Sequence, residues 1–139
     1  MISENVITRA ILDTSFTVHS DLGPGLLESV YERILEAELI DKGFDVRRQV
    51  PIPIKYKNLE FDEAFRADLI VENKVLVELK ASETNHPVYY RQLFSYLKLT
   101  SMRFGLLMNF GSEHLKDGIK RVANGHGPSS PLVTSVPSV

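Results

Sequence analysis

The spacing of hydrophobic positions changes several times along the chain, and each change marks the end of a predicted element. A helical period of 3.6 residues predicts three long helices, at Glu4–Ser20, Leu26–Lys42 and Val88–Thr100. Alternating or continuous apolar runs predict strands at Phe44–Val50, Ile52–Tyr56, Phe65–Val71, Val75–Lys80 and Arg103–Phe110. A short last helix is predicted over Leu115–Val122.

Glycine and proline separate these elements. The segment Gly23-Pro24-Gly25 interrupts the first helical pattern, because both residue types end helices. Gly43 occupies the position of a glycine that ends the second helix. Pro51 and Pro53 lack the N–H that a central strand donates, so we expect an edge strand or a bulged strand there.

The order of the elements predicts the architecture. A strand, a helix and a strand between Val75 and Phe110 require a parallel crossover, whereas short turns make the earlier strands antiparallel. We therefore expect an α/β domain over residues 1–124, with a mixed β-sheet flanked by helices on both faces. Residues 125–139 lack charge and periodicity, and we expect them to form a disordered tail.

Composition narrows the chemistry. Of the 139 residues, 43% are hydrophobic and 24% charged, which is typical of a globular domain and excludes a disordered polyampholyte. The absence of cysteine excludes disulfides, thiolate zinc sites and a cysteine nucleophile. Binding of a hard cation by oxygen ligands is therefore the natural metal chemistry for this chain. With no leader pattern and no long apolar run, we expect a soluble cytoplasmic protein without membrane contact.

Three charged residues interrupt the most apolar pair of strands. If residues 72–74 form a three-residue hairpin loop, Asp68 lies directly opposite Glu78 and on the same face as Lys80. A loop of even length would send the two carboxylates to opposite faces. Opposed like charges repel, so a covered face that carries them needs a compensating cation. An ordinary solvated strand face is the alternative.

These residues resemble a known family. Asp68, followed after a short turn by Glu78-Leu79-Lys80, resembles the D…(D/E)-x-K core of the PD-(D/E)XK nuclease superfamily. The segment Gly25–Tyr31 resembles the motif of the GxxExxY proteins within that superfamily. The resemblance covers about Glu4 to Asn124, and one departure from the superfamily name is Ala67, where the name has proline. It implies a restriction-endonuclease-like fold.

The resemblance also implies roles for the residues of the motif. Asp68, Glu78 and the Leu79 carbonyl would bind Mg²⁺ or Mn²⁺, and Lys80 would position the attacking water and stabilise developing negative charge. The family position makes Glu28 a third carboxylate of the metal site. Alternatively, Glu28 is the third residue of a helix capped by Gly25, where an acid favours the helix dipole.

Two further candidates lie on the third predicted helix. Gln92 and Tyr96 are four residues apart, so they share a helix face with Tyr89. Members of the superfamily often carry glutamine and tyrosine there, reaching the active site or the substrate, and the resemblance therefore implies catalytic roles for both. Ordinary boundary positions of an amphipathic helix are the alternative.

The net charge of −2 conceals two local excesses of opposite sign. Residues 28–41 carry a net charge of −4, and residues 42–57 carry a net charge of +4. Four bases lie in the predicted strands there or directly after them, namely Arg47, Arg48, Lys55 and Lys57. A basic ribbon of this kind can bind the phosphates of a nucleic acid, or it can protect an edge strand against aggregation.

Together, these features lead us to expect a Mg²⁺-dependent nuclease that hydrolyses phosphodiester bonds of DNA or RNA. A catalytically silent module of the same fold that binds nucleic acid or protein is an alternative, as is a hydrolase of a smaller phosphoester. Because the short chain has no separate recognition domain, we expect a homodimer or a partner protein to help bind the substrate.

Overall fold

A computed structural model describes residues 2–125, so the predicted C-terminal tail lies, apart from Gly125, outside the described residues. In chain order the elements are α1 (Glu4–Leu22), α2 (Glu28–Asp41), β1 (Val46–Tyr56), β2 (Leu59–Val71), β3 (Val75–Lys80), α3 (Pro87–Thr100), β4 (Phe104–Asn109), a 3-10 turn (Leu115–Gly118) and β5 (Ile119–Ala123). None of the helices in this part of the chain is long and apolar enough to cross a membrane.

The five strands form one mixed sheet in the order β1-β2-β3-β4-β5. Strands β3 and β4 are parallel and are joined through α3, whereas the other neighbours are antiparallel. Ile11 of α1, Leu35 of α2 and Leu79 of β3 share one buried cluster. Leu93 of α3 and Leu76 of β3 share the other. Helices therefore cover both faces of the sheet, which confirms the predicted α/β architecture.

Strands β1 and β2 form a hairpin that is longer than the rest of the sheet. β1 continues through both prolines as one edge strand, with a register shift between Ile52 and Ile54, which confirms the expected bulged edge. The prediction of two separate strands was wrong because the prolines interrupt the period but not the pairing. Residues 59–64 of β2 were missed, because all six side chains are exposed and carry no buried period.

The predicted helix over Leu115–Val122 is wrong. A 3-10 turn ends at Gly118, and Ile119–Ala123 then pairs antiparallel with β4. A Cβ atom at Gly118 would lie 2.5 Å from the Ser112 Oγ and 2.7 Å from the Asn109 carbonyl oxygen, so only glycine fits this turn. Pairing with the sheet outweighs the local preference of so short a segment.

Candidate functional site

Three polar side chains stand in a row across the first three strands. Leu69 pairs with Val77, and the same register continued by one residue places Asp68 opposite Glu78. This confirms the register that a three-residue loop predicted. In β1, Arg48 pairs with Leu69 and Val50 pairs with Ala67, so Gln49 between them lies opposite Asp68. Neighbouring strands lie about 4.8 Å apart, so the row brings polar side chains of β1, β2 and β3 together.

The carboxylates of Asp68 and Glu78 lie close together in a largely dry environment. The Leu79 N–H donates to the Asp68 Oδ2 at 2.8 Å, and the Asp68 N–H donates to the Glu78 Oε1 at 3.5 Å. Glu78 is only 6% exposed. Burial, and then the charge of Asp68, raise the pKa of the Glu78 carboxyl to about 9. Near neutral pH the pair therefore retains a proton unless a cation replaces it.

Lys80 lies beside this pair, on the same face of β3. Its Nζ is 4.7 Å from the centroid of the Tyr89 ring, a cation–π contact that helps to hold the ammonium group in place. The charge of Lys80 counteracts the rise in the pKa of Glu78. Tyr89 is thus a neighbour of the site. The helical period predicted the face of α3 on which Tyr89 lies but gave no indication of its contact with Lys80.

Glu28 stands at the rim of the site, and its place in α2 differs from the prediction. The helix begins at Glu28 with Leu27 as the N-cap, so Glu28 is not the third residue after a Gly25 cap. Burial raises the pKa of the Glu28 carboxyl, the charge of Lys80 lowers it, and an N–H from Ala81 donates to it. Glu28 as a whole residue is exposed, but its carboxyl group is partly desolvated beside the end of β3.

Tyr31 holds the turn that leads into α2. Its hydroxyl donates to the Gly23 carbonyl oxygen at 2.5 Å and accepts from the Leu26 N–H at 3.1 Å. Its buried ring stacks on Phe110 with the centroids 4.7 Å apart. In this way, the tyrosine at the end of the segment Gly25–Tyr31 fixes the backbone just before Glu28.

Helix α3 carries Tyr96, whose ring and hydroxyl have contacts near the site. The Tyr96 ring stacks on Phe65 with the centroids 3.7 Å apart. Burial raises the pKa of the Tyr96 hydroxyl, and the charges of Glu78 and Asp68 raise it further. Gln92 lies exposed one turn earlier, and its side chain has no hydrogen-bond partner among residues 2–125.

Two residues that the sequence analysis missed extend the site. Glu32 is buried, and its Oε1 accepts a 2.7 Å hydrogen bond from the Gln49 side-chain amide. The same amide nitrogen lies 3.3 Å from the Asp68 Oδ1. The spacing of Glu32, four residues after Glu28, was a signal for a shared helix face. No signal in the sequence indicated Gln49, because its position opposite Asp68 depends on the register between β1 and β2, and that hairpin contains a bulge.

Comparison with known proteins identifies the family. The family model of the PD-(D/E)XK nuclease superfamily matches residues 5–122. The chain belongs to this superfamily. No curated protein and no solved structure matches the chain. The observed mixed sheet with three helices fits the restriction-endonuclease-like fold of the PD-(D/E)XK superfamily.

Members of the PD-(D/E)XK superfamily generally use divalent metals, and the donors in this chain fit such an ion. Within residues 2–125 no group of three or more His, Asp or Glu side chains is arranged to hold a metal ion. Asp68 and Glu78 lie close together and offer a sparse set of oxygen donors. Such a set suits Mg²⁺, which keeps several waters and needs few protein ligands.

Two of the four predicted phosphate-binding residues of this PD-(D/E)XK chain contact other elements. The Arg47 guanidinium donates to the Asn73 Oδ1 at 2.5 Å. Arg48 lies 3.6 Å from a Glu32 oxygen and 3.3 Å from a Glu36 oxygen, so it bridges β1 to the acidic side of α2. Arg48 therefore neutralises acids of the same chain.

The other two basic residues lie near the tip of the β1–β2 hairpin. Lys55 is 4.0 Å from the Glu60 carboxylate, and both side chains are largely exposed. The Lys57 Nζ lies 5.5 Å from the centroid of the exposed Tyr56 ring. Exposed pairs of this kind contribute little to stability. Both ammonium groups therefore remain accessible to phosphate groups.

Proposed function

We propose that this chain is a divalent-metal-dependent nuclease that hydrolyses phosphodiester bonds of DNA or RNA, and that it belongs to the GxxExxY group of its superfamily. The observation that carries the proposal is the close Asp68–Glu78 pair, in which Glu78 is buried, with Lys80 beside it. Such a pair is costly in a protein that does not use it. The contacts of Tyr31 and Glu28 support the assignment to the group.

Asp68, Glu78 and the Leu79 carbonyl are the proposed ligands of Mg²⁺ or Mn²⁺. Glu28 at the rim is the proposed further carboxylate, although it is not already arranged with Asp68 and Glu78 as a group of metal ligands. A bound cation would lower the pKa of a water and offset negative charge on the phosphate. The environment of Glu78 favours this role, because burial and the charge of Asp68 both disfavour its ionised form in the absence of a cation.

Lys80 is the positively charged side chain of the proposed active site. An ammonium group is a compact donor, suited to orient the attacking water and to stabilise a developing oxyanion. The contact with Tyr89 limits the positions that the Lys80 side chain can take. Tyr96 is protonated at neutral pH, as tyrosine ordinarily is, and burial raises the pKa of its hydroxyl further, so it can donate a hydrogen bond to a phosphate oxygen. Gln92, exposed on the same helix, is the proposed contact to substrate further out.

The nucleic acid is proposed to contact the β1–β2 hairpin through its phosphates. Lys55, Lys57 and Arg47 carry the charge for such contacts, while Arg48 contributes mainly by neutralising Glu32 and Glu36. Phosphate contacts bind without reading sequence. A second copy of the chain or a partner protein is therefore the proposed source of substrate selectivity.

A cleavage assay on single- and double-stranded DNA and RNA, with Mg²⁺, Mn²⁺ or EDTA, tests the proposal. We expect at least one substrate to be cut with metal and none in EDTA. Asp68→Asn and Lys80→Met should each lower the rate roughly 100-fold or more. Asp62→Asn, on an exposed stretch of β2, is the matched control and should retain full activity.

Cleavage that survives EDTA or both substitutions would contradict the proposed mechanism. If no substrate is cut although the wild-type chain binds the metal through Asp68, the proposal of a nuclease is wrong. A silent binding module of the same fold then replaces it.

A further inference from the structure

Gln49 has an unusual backbone conformation in the middle of β1. Its φ is 54°, in the left-handed region that residues other than glycine rarely adopt. The strand pairs regularly on both sides, with Arg48 opposite Leu69 and Val50 opposite Ala67. A residue keeps such a conformation only where its surroundings compensate for the cost. The contacts of the Gln49 side chain supply that compensation.

One nitrogen of the Gln49 amide serves two carboxylates. It donates to the Glu32 Oε1 at 2.7 Å and to the Asp68 Oδ1 at 3.3 Å, which uses both of its hydrogens. The other oxygen of Asp68 accepts from the Leu79 N–H at 2.8 Å. Each oxygen of Asp68 is thus held by its own donor, and the plane of the carboxylate is fixed.

Glu32 is itself anchored on its far side. It is 4% exposed, and Arg48 lies 3.6 Å from the same Oε1 that accepts from Gln49. Arg48 is held in turn by Glu36 at 3.3 Å. The acceptor that orients the Gln49 amide is therefore rigid, and a rigid partner transmits its position to Asp68.

We infer that Gln49, oriented by Glu32, is a positioning residue that presents Asp68 to the metal. This inference rests on the proposed function, because it requires that Asp68 be a metal ligand. An amide suits this role, since its N–H groups donate to a carboxylate without themselves binding a cation. Partners that orient a ligand from outside the coordination shell commonly contribute 10- to 100-fold to metal affinity.

The test is a calorimetric titration of the full chain with Mn²⁺, in the absence of nucleic acid. Gln49→Met keeps the length of the side chain and removes its donors. Gln49→Gly also removes them, and glycine accommodates the positive φ, which protects the fold. We expect both variants to bind Mn²⁺ about tenfold more weakly than the wild type. The melting temperature of the metal-free chain should stay near the wild-type value in Gln49→Gly, where glycine relieves the backbone strain, and should fall in Gln49→Met, which keeps the positive φ without the contacts that compensate for it.

Ser101→Gly is the matched control, because Ser101 also has a positive φ, of 58°, but lies at the end of α3. It should bind Mn²⁺ like the wild type. In cleavage assays, a tenfold higher metal concentration should restore the rate of the Gln49 variants, with an unchanged KM for nucleic acid. A purely structural role for Gln49 would not produce this separation between metal activation and KM.

Asp68→Asn separates failure of the inference from failure of the proposed function. If Asp68→Asn binds Mn²⁺ as tightly as the wild type, the proposed metal site is wrong. If Asp68→Asn loses binding while both Gln49 variants keep it, only the inference about Gln49 is overturned. Parallel losses of affinity and melting temperature in both Gln49 variants also overturn it, since Gln49 would then maintain the fold rather than position Asp68.

Discussion

Replacement of Glu78 by glutamine should stabilise the metal-free chain at neutral pH. The folded chain holds the pKa of the Glu78 carboxyl at about 9, through burial and the neighbouring charge of Asp68, against an ordinary value of 4.5. The folded state therefore binds a proton that the unfolded chain releases. Under this linkage, the contribution of Glu78 to the free energy of unfolding falls as the pH rises from 4.5 towards 9.

The size of the effect follows from the interval between the two pKa values. At pH 7 the shift of this buried group corresponds to about 3 kcal/mol, and at pH 5 to less than about 1 kcal/mol. Glutamine is neutral at every pH and keeps an oxygen that can accept from the Asp68 N–H. We therefore expect Glu78→Gln to be more stable than the wild type by about 1–3 kcal/mol at pH 7, with little difference at pH 5.

Urea denaturation in EDTA at pH 5, 6, 7 and 8 measures this difference. Glu60→Gln, at an exposed position of β2, is the matched control and should follow the pH dependence of the wild type. Addition of Mg²⁺ should stabilise the wild type but not Glu78→Gln, because only the wild type keeps the ligand. If the variant is less stable than the wild type at pH 7 in EDTA, with an unchanged pH slope, the ionisation of Glu78 does not destabilise the folded chain.

Three further substitutions test the roles of Lys80, of the lysines of the β1–β2 hairpin and of Tyr31. Lys80→Met should lower cleavage roughly 100-fold or more without weakening Mn²⁺ binding in calorimetry, because loss of a positive charge favours a nearby cation. The double substitution of Lys55 and Lys57 by glutamine should weaken nucleic-acid binding and lower the slope of log affinity against log salt by about 2 in fluorescence titrations, whereas Lys116→Gln should not. Tyr31→Phe should cost about 1–3 kcal/mol in urea denaturation, because two backbone groups of the turn before α2 lose their partner. An unchanged free energy of unfolding would contradict that role.

Local patterns were sufficient to predict the core of the site. The side chains of a strand alternate between faces, so the length of the loop between β2 and β3 determines whether Asp68 and Glu78 meet. A loop of residues 72–74 places them together, and the observed pairing of Leu69 with Val77 agrees. The apolar flanks of both strands also predicted burial, which is what raises the pKa of Glu78.

Contacts that depend on long-range pairing were not predictable. Ile119–Ala123 is too short to establish a period, and it becomes a strand because the edge of β4 is available to it. The partnership of Gln49 with Asp68 depends on the register of β1 against β2 and on a left-handed backbone at Gln49. A register shift lies between that pair and the turn of the hairpin, between Ile52 and Ile54. Because of this shift, the partner of Gln49 cannot be found by counting residues back from the turn.

Asp68 and Glu78 are proposed to hold a divalent cation beside Lys80. Anomalous diffraction from a crystal grown with Mn²⁺ is the direct test of this proposal, because the scattering locates the metal independently of activity. We expect a peak within about 2.0–2.4 Å of oxygens of Asp68, of Glu78 and of the Leu79 carbonyl. Mn²⁺ bound at another position, with none between these two carboxylates, would show that the proposed metal site is wrong.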